Sequence, residues 1–250
     1  MKNTDRYLVA VSFFEPRPQL ALSTLLTALR NTPAGAAFDI ALVVNRTGSD
    51  ELVLPDEVQQ ADFILSRSNE GMNIGAWNFA WQTFPDYDAY LFLQDDCVLQ
   101  APNWLESFVQ VAAGASVGLV GESWNAGWDR SWATMRKAVS THSLPGHAID
   151  GKPVNRVDLY LDFMERHQVS PGRQAGHLRA LTWFATRTTL QSINGFLRGS
   201  NYGECIAAEI AATKQVEAVG LKAVQVESRP FAYFGHLDWH LTQDGRWQHR

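Results

Sequence analysis

Asp95 and Asp96 are the sharpest chemical feature of this chain, two adjacent carboxylates just after the apolar run Tyr90-Leu-Phe-Leu93. Side by side, two such charges repel unless a cation lies between or beside them. Side chains alternate along an extended strand, so only one of the pair faces a given ligand group. A hard cation such as Mg²⁺ or Mn²⁺ is typically held by one or two carboxylates together with substrate phosphates. The pair therefore suits a site in which one aspartate takes a metal and its neighbour a sugar hydroxyl. The plain alternative is a solvated turn. A second polar cluster, His236-Leu-Asp-Trp-His240, has histidines spaced for zinc on a helix, but Gly235 and the aromatic residues before it argue against a helix there. Trp124, Trp128 and Trp132 recur every four residues and read equally as a sugar-stacking platform or as packing. Trp183, on the segment leading to Ile193-Asn-Gly-Phe196, is the better candidate for lining a sugar site. His142, His147, His167 and His177 have no chemical partners in the sequence.

The elements that must position these groups follow from hydrophobic period. Apolar runs predict strands at Tyr7–Phe13, Asp39–Val44, Ala61–Leu65, Tyr90–Leu93, Val117–Val120 and Ala223–Val226, and regular packing is expected at Leu181–Ala185. Helical patterns lie between them: Leu20 to Leu29, about Gly75 to Phe84, Trp104 to Val111, Val157 to Arg166, and about Gly203 to Val219, with Gly220 as its C′ residue. Alternation of this kind predicts an α/β fold with a mostly parallel central sheet flanked by helices. In such a sheet ligands bind beyond the carboxyl ends of the strands. That singles out Ser12, Asn45, the loop Ser66 to Asn73, and Asp95-Asp96. The stretch from Glu122 to about Leu178 is irregular and rich in Trp, His, Gly and Pro, so it reads as an insertion, and loops on a rigid scaffold usually carry ligand choice. With no linker or repeat in between, residues 1–250 are expected to form one domain.

Composition narrows the function classes. The chain has 250 residues and a net charge of −5 without a basic stripe, which argues against nucleic acid as partner. A polybasic membrane patch is likewise missing from the sequence. Cys97 and Cys205 are far apart and outside any CxxC spacing, so they make neither a disulfide framework nor a zinc knuckle. The apolar run after Lys2 and Arg6 is short and ends in Glu15-Pro-Arg-Pro18, reading as a buried strand and not a signal peptide. No apolar stretch reaches the roughly 18–20 residues of a membrane span. A cytoplasmic protein is expected, with peripheral attachment to a membrane face the alternative.

Five segments, in order, resemble the GT-A glycosyltransferases of the family 2 type. Leu42-Val-Val-Asn-Arg-Thr-Gly-Ser-Asp50 is similar to that family's V-V-D-N-G-S-T-D second strand, and Asn69-Glu-Gly-Met-Asn-Ile-Gly-Ala-Trp-Asn78 to its N-x-G-x-x-x-G loop. Leu91-Phe-Leu-Gln-Asp-Asp-Cys-Val98 with Pro102-Asn-Trp-Leu105 resembles the metal-binding D-x-D strand and following helix. Ile193-Asn-Gly-Phe196 resembles the turn before the catalytic helix, and Tyr233-Phe-Gly-His236 the late histidine.

The resemblance implies transfer of a sugar from a UDP-, dTDP- or GDP-sugar to a saccharide or lipid-linked acceptor, as in polysaccharide biosynthesis, with Mn²⁺ or Mg²⁺ and with inversion. It implies that Asp96 binds the metal, with His236 as an added ligand or diphosphate contact, and that Trp183 and the insertion from Glu122 to about Leu178 lie on the acceptor side. Asp95 would touch the ribose or support the metal, and Ser12, Asn45, Asn69, Gly71 and Gly75 would form the nucleotide-sugar site. Two departures stand out: Gln94 and Cys97 flank the aspartates, so there is no strict D-x-D, and Asn45 stands where the family has an aspartate. The family's general base lies about eleven residues before the helix-ending glycine, which reaches Glu209. Glu204 is the rival, about 140° away around the helix, so the two cannot share a face. A nucleotidyltransferase would open with a glycine-rich loop after the first strand, where Ser12-Phe-Phe-Glu-Pro-Arg-Pro18 has no glycine. A non-catalytic sugar- or nucleotide-binding domain remains the rival from another class. A serine hydrolase would need a G-x-S-x-G elbow that the sequence lacks.

Overall fold

The computed structural model describes residues 5–48, 54–138, 148–149, 151–241 and 247–249, those from 239 onward by backbone only. The turn residues Ser49 and Asp50, His142 and His147, and the side chain of His240 lie outside what is described.

The first half alternates strand and helix: β1 (Tyr7–Phe14), α1 (Leu20–Asn31), β2 (Phe38–Arg46), β3 (Phe63–Ser68), α2 (Met72–Thr83), β4 (Ala89–Gln94), β5 (Cys97–Leu99), α3 (Trp104–Ala112) and β6 (Val117–Gly121). The second half holds α4 (Trp132–Ala138), β7 (Ala148–Ile149), β8 (Lys152–Pro153), α5 (Arg156–Arg166), β9 (Thr182–Thr186), α6 (Arg187–Ser192), α7 (Tyr202–Ala218), β10 (Lys222–Gln225), β11 (Phe234–His236), β12 (Trp239–Leu241) and β13 (Trp247–His249).

Seven strands form the main sheet in the order β10-β6-β9-β4-β1-β2-β3. Neighbours pair parallel except at β9, which runs antiparallel between β4 and β6. β1 is apolar but for Ser12 near its carboxyl end because both faces are covered: Leu8 and Ala10 enter one core, Tyr7, Val9, Val11 and Phe13 the other. On the second face, α1 packs through Leu22, Leu25, Leu26 and Leu29, a helical stripe. On the first, α2 and α7 are buried over most of their surface, which is why their sequences show little polar-apolar segregation.

α7 is tightly specified at both ends. Asn201 accepts from the Glu204 N–H at 3.0 Å. Gly220 takes φ +79, with Leu221 N–H on Val216 O at 3.1 Å and Gly220 N–H on Glu217 O at 3.0 Å, a Schellman ending as the sequence predicts. Along its length Gln215 clamps the preceding loop, donating to Ile193 O and Gly195 O and accepting from Leu197 N–H.

Two features were not foreseen. A small antiparallel sheet, β13-β12-β11-β5, stands beside the main one and joins the turn after β4 to the late segment. Within the irregular stretch from Glu122 to Leu178, α4 was not foreseen either, whereas α5 forms where the Val157–Arg166 pattern predicts a helix and packs on α7. The tryptophan run is not one helix. Trp124 bridges to Leu178, Trp128 sits in a short 3₁₀ turn against Tyr160, and Trp132 opens α4 with its indole N–H on Pro171 O. All three pack against the core, so packing is the reading their surroundings favour.

Candidate functional site

At the carboxyl end of β4 the Gln94 amide donates to Ala180 O, and the chain turns through Asp95 and Asp96 into β5. Both aspartates are nearly buried, 4% and 6% exposed. Burial raises the Asp95 carboxyl to about 6, aided by the charge of Asp96 and opposed by Arg17. Arg17, from the loop after β1, reaches across with one nitrogen, Nη1, 3.2 Å from Asp95 Oδ1 and 2.8 Å from Asp96 Oδ2. The other oxygen of Asp96, Oδ1, is buried and has no hydrogen-bond partner among the described residues.

The small sheet brings the late histidine to this turn. β11 pairs with β5 so that His236 lies opposite Cys97, and Leu237 N–H donates to Asp96 O at 3.0 Å. His236 Nε2 is then 3.4 Å from Asp96 Oδ2, while Nδ1 accepts from Asp238 N–H at 3.0 Å. Donor atoms of Asp96, His236 and Asp238 all lie within 4.8 Å of one another. Two carboxylates and an imidazole suit Mn²⁺ or Mg²⁺. A buried carboxylate oxygen lacking any donor also fits a cation, since leaving it bare is costly. Cys97 is no part of this set: burial pushes its thiol well above the ordinary range, and Sγ contacts Leu181 O at 3.5 Å. The segment leading to His236 is anchored by Glu122, whose carboxylate accepts from the N–H groups of Ala232, Tyr233 and Phe234 at 2.8, 3.1 and 2.9 Å.

A cleft of about 510 Å³ opens beside the pair, lined by Ser12, Arg17, Asn45, Asn69, Asp95 and Glu209 among others. Ser12 Oγ donates to Leu93 O at 3.3 Å, which fixes β1 against β4. Asn45 Oδ1 accepts from Arg67 at 2.7 Å and its Nδ2 donates to Met72 O at 3.5 Å, which leaves the second amide hydrogen for a ligand. Gly71 lies on an adjoining cavity of about 430 Å³ with Arg198 and Asn201. Gly75 lines neither cavity. A Cβ there would come 2.0 Å from Glu70 O, so the loop before α2 closes only over glycine. The Asn78 amide binds both backbone groups of Phe196, joining the two motif segments 69–78 and 193–196.

The two glutamates of α7 meet different fates. Glu209 lines the 510 Å³ cleft and also a recess of about 160 Å³ shared with Arg179 and His236. Burial raises its carboxyl to about 7, with Arg179 opposing. Its side chain is 25% exposed, and Oε1 lies 3.7 Å from His177 Nε2. Burial holds that imidazole down at about 4, so it is neutral at pH 7. Glu204 lines none of these cavities. Burial works against its charge, yet the Ser200 N–H at 2.8 Å and Arg166 at 2.7 Å keep its carboxyl below the ordinary value. Trp183, expected on the acceptor side, is fully buried between Trp77 and Phe196, with centroids at 5.2 and 5.0 Å. That expectation is corrected: β9 is a central strand, and its inward residues are core.

Ser12, Asn45, Asn69, Asp95 and Glu209 thus share one cleft. Asp96 opens onto a neighbouring groove of about 450 Å³ and His236 onto the recess. Sequence reasoning missed Arg17, Glu122, Arg179 and Asp238. Arg17 follows the first strand's carboxyl end and Asp238 lies inside the His236–His240 segment, so strand-end logic could have found both. Glu122 and Arg179 depend on pairings across the irregular stretch.

No protein-family model matches the sequence, and no curated protein sequence does. Solved structures do. The chain superposes on the mannosyltransferase PcManGT from Pyrobaculum calidifontis, in complex with GDP-Man and Mn²⁺, with TM-score 0.54 at 15% identity; 90% of this chain covers 55% of that one. It superposes on glucosyl-3-phosphoglycerate synthase from Mycobacterium tuberculosis, in complex with Mn²⁺, UDP and glucosyl-3-phosphoglycerate, with TM-score 0.54 at 11% identity, 94% of this chain covering 73% of that one. The chain therefore spans just over half of the mannosyltransferase and about three quarters of the synthase. At these identities the likeness shows the fold, and the fold is GT-A.

Proposed function

We propose that this GT-A chain transfers a glycosyl group from a nucleoside-diphosphate sugar to a hydroxyl of a saccharide or lipid-linked acceptor. The observation that carries the reading is the convergence of three chemistries at one sheet edge. They are a cleft lined by Ser12, Asn45, Asn69 and Asp95, the adjoining Asp96–His236–Asp238 set, and a carboxyl at about 7 on Glu209 between them. The two neighbours named above carry GDP-Man or UDP with Mn²⁺, which supports the same donor class here.

In this reading Asp96, His236 and Asp238 would hold Mn²⁺ or Mg²⁺, which supplies positive charge to the departing nucleoside diphosphate. Asn45 and Asn69 hold the nucleoside, and Asp95 contacts the ribose. Glu209 Oε accepts the proton of the acceptor hydroxyl as its oxygen bonds to the anomeric carbon. The bond from that carbon to the diphosphate oxygen breaks, and the nucleoside diphosphate leaves with the electron pair. A single displacement of this kind inverts the anomeric centre. A carboxyl at about 7 suits the task, because it is a stronger base than an ordinary glutamate yet still ionises near neutral pH. The 160 Å³ recess between Glu209 and His236 gives the acceptor its approach.

The test is a panel of UDP-, dTDP- and GDP-sugars with Mn²⁺, read by thermal stabilisation and by slow donor hydrolysis. One donor should raise the melting temperature and be hydrolysed only with the metal. Stabilisation without hydrolysis would mark a binding domain, and no response to any donor would sink the reading.

A further inference from the structure

We propose that Arg17 is a ligand of the donor's diphosphate that is held on the aspartate pair until metal and donor arrive. The inference rests on the glycosyl-transfer reading and extends it to a residue that the reading does not use. Among the described residues lining the 510 Å³ cleft, Arg17 is the sole cation. A nucleoside diphosphate brings several negative charges into that cleft, and the metal set lies at its edge, outside its lining. Some cation of the protein must meet the rest, and a planar guanidinium matches phosphate oxygens better than an ammonium does.

Arg17 is also on the carboxylate that a metal needs. Its Nη1 lies 2.8 Å from Asp96 Oδ2, and His236 Nε2 lies 3.4 Å from the same oxygen. A divalent cation bound at Asp96 would sit within a few ångströms of the guanidinium, and like charges that close repel strongly at a half-buried site. The two cations therefore compete for one carboxylate pair. The backbone is ill suited to move: Arg17 N–H bonds Phe14 O at 2.8 Å, and Pro16 and Pro18 flank the residue. The side chain is free to swing, being 46% exposed and lining both the cleft and the 450 Å³ groove. In the empty protein Arg17 neutralises Asp95 and Asp96. With metal on Asp96, the guanidinium turns into the cleft toward the phosphates.

This makes opposite demands on the two ligands. Mn²⁺ binding to the full chain without nucleotide is measured by titration calorimetry or by the electron-spin signal of free Mn²⁺. UDP, dTDP and GDP binding are then measured at saturating Mn²⁺. Arg17→Gln should bind Mn²⁺ alone about three- to tenfold more tightly than wild type, and bind its preferred nucleotide about tenfold more weakly. Arg17→Lys, which keeps the charge but not the fork, should keep wild-type Mn²⁺ affinity and recover only part of the nucleotide affinity. It also serves where the glutamine variant fails to fold. A purely structural arginine would loosen the aspartates and weaken both ligands together. Unchanged or weaker Mn²⁺ binding in Arg17→Gln, or unchanged nucleotide binding, overturns the proposal while leaving the glycosyl-transfer reading intact. Wild-type protein that binds neither Mn²⁺ nor any of the three nucleotides overturns that reading, and the proposal with it.

Discussion

The two sides of Asp95 treat their polar groups in opposite ways. Toward β2 and β3 they are tied up internally: Asn45 on Arg67, Arg67 on Glu70 O, Ser12 on Leu93 O, and Asn73 and Gln94 together on Ala180 O. Toward β11 the Asp96 carboxylate keeps a buried oxygen without a partner, and Asp238 stands at the surface. Satisfied groups hold their shape before any ligand arrives, whereas a bare buried oxygen is stabilised only by what binds it. On the proposed reading, the nucleoside side is thus preorganised and the metal side is completed by its ligand. Substitutions on the first side should cost stability together with function. Those at Asp96 should cost function alone.

The sharpest way to break this contrast is Asp96→Asn. Transfer activity should fall to background and Mn²⁺-dependent nucleotide binding should be lost. Thermal stability should stay within about 1 kcal/mol of wild type, because the change removes one of two adjacent buried charges and leaves Asp95 to pair with Arg17. Calorimetry of nucleotide with and without Mn²⁺ checks the first part, and a melting curve the second. A variant that still binds Mn²⁺ and nucleotide like wild type removes Asp96 from the metal.

Glu209→Gln comes next. Turnover should drop by about 10²–10⁴-fold, the usual range for a lost general base, with nucleotide affinity nearly unchanged. In wild type the base must be ionised, so kcat/KM should fall as pH drops through about 7. The linkage to stability has the opposite sign. The folded carboxyl is raised from 4.5 to about 7, so the unfolded chain ionises first and stability falls as pH rises across that window. Glu209→Gln should therefore be about 1–2 kcal/mol more stable than wild type at pH 8. That advantage should vanish near pH 4, and chemical denaturation at both pH values measures it.

A smaller effect is expected from the anchor of β11. Glu122→Gln turns one acceptor into a donor facing the Ala232 N–H, at a cost of about 1–3 kcal/mol. Because β11 carries His236, Mn²⁺ affinity should weaken as well, by less than at Asp96. Loss of stability with unchanged Mn²⁺ binding would show that Glu122 supports the core and not the site.

How legible the molecule was in its sequence follows the same division. The strands β1 to β4 run parallel, and each carries its own apolar run and polar end, so Ser12, Asn45 and Asp95 could be found by reading strand ends. Glu209 came from a count back from Gly220, whose φ of +79 confirms the helix end. β9 was visible only as a run of regular packing, and neither its place in the centre of the sheet nor its antiparallel direction could be read, since nothing local records how a strand enters a sheet. That misled the reading of Trp183. The small sheet depends on β5 meeting β11 across well over a hundred residues, and a three-residue strand has no period to detect.

The smallest effect should come from Glu204, and it decides which end of α7 does chemistry. Its carboxylate accepts from the Ser200 N–H and from Arg166, and its own N–H is capped by Asn201, so it closes the first turn of the helix. Glu204→Gln keeps one acceptor and gives up the charge that Arg166 pairs with. It should lower stability by about 1 kcal/mol, the worth of one such hydrogen bond at a half-open site, and leave turnover within about threefold, under ~0.7 kcal/mol of barrier. The pH profile is the independent check. Bonds to its charged form hold Glu204 below the ordinary glutamate value of 4.5, so a base here would keep kcat/KM flat well into acid. A base at Glu209 bends the profile near 7. A wild-type limb near 7 that Glu204→Gln leaves in place assigns the proton to the middle of the helix. A profile flat to pH 5, with turnover lost in Glu204→Gln, assigns it to the first turn and makes the Glu209 carboxyl a feature of the acceptor recess alone.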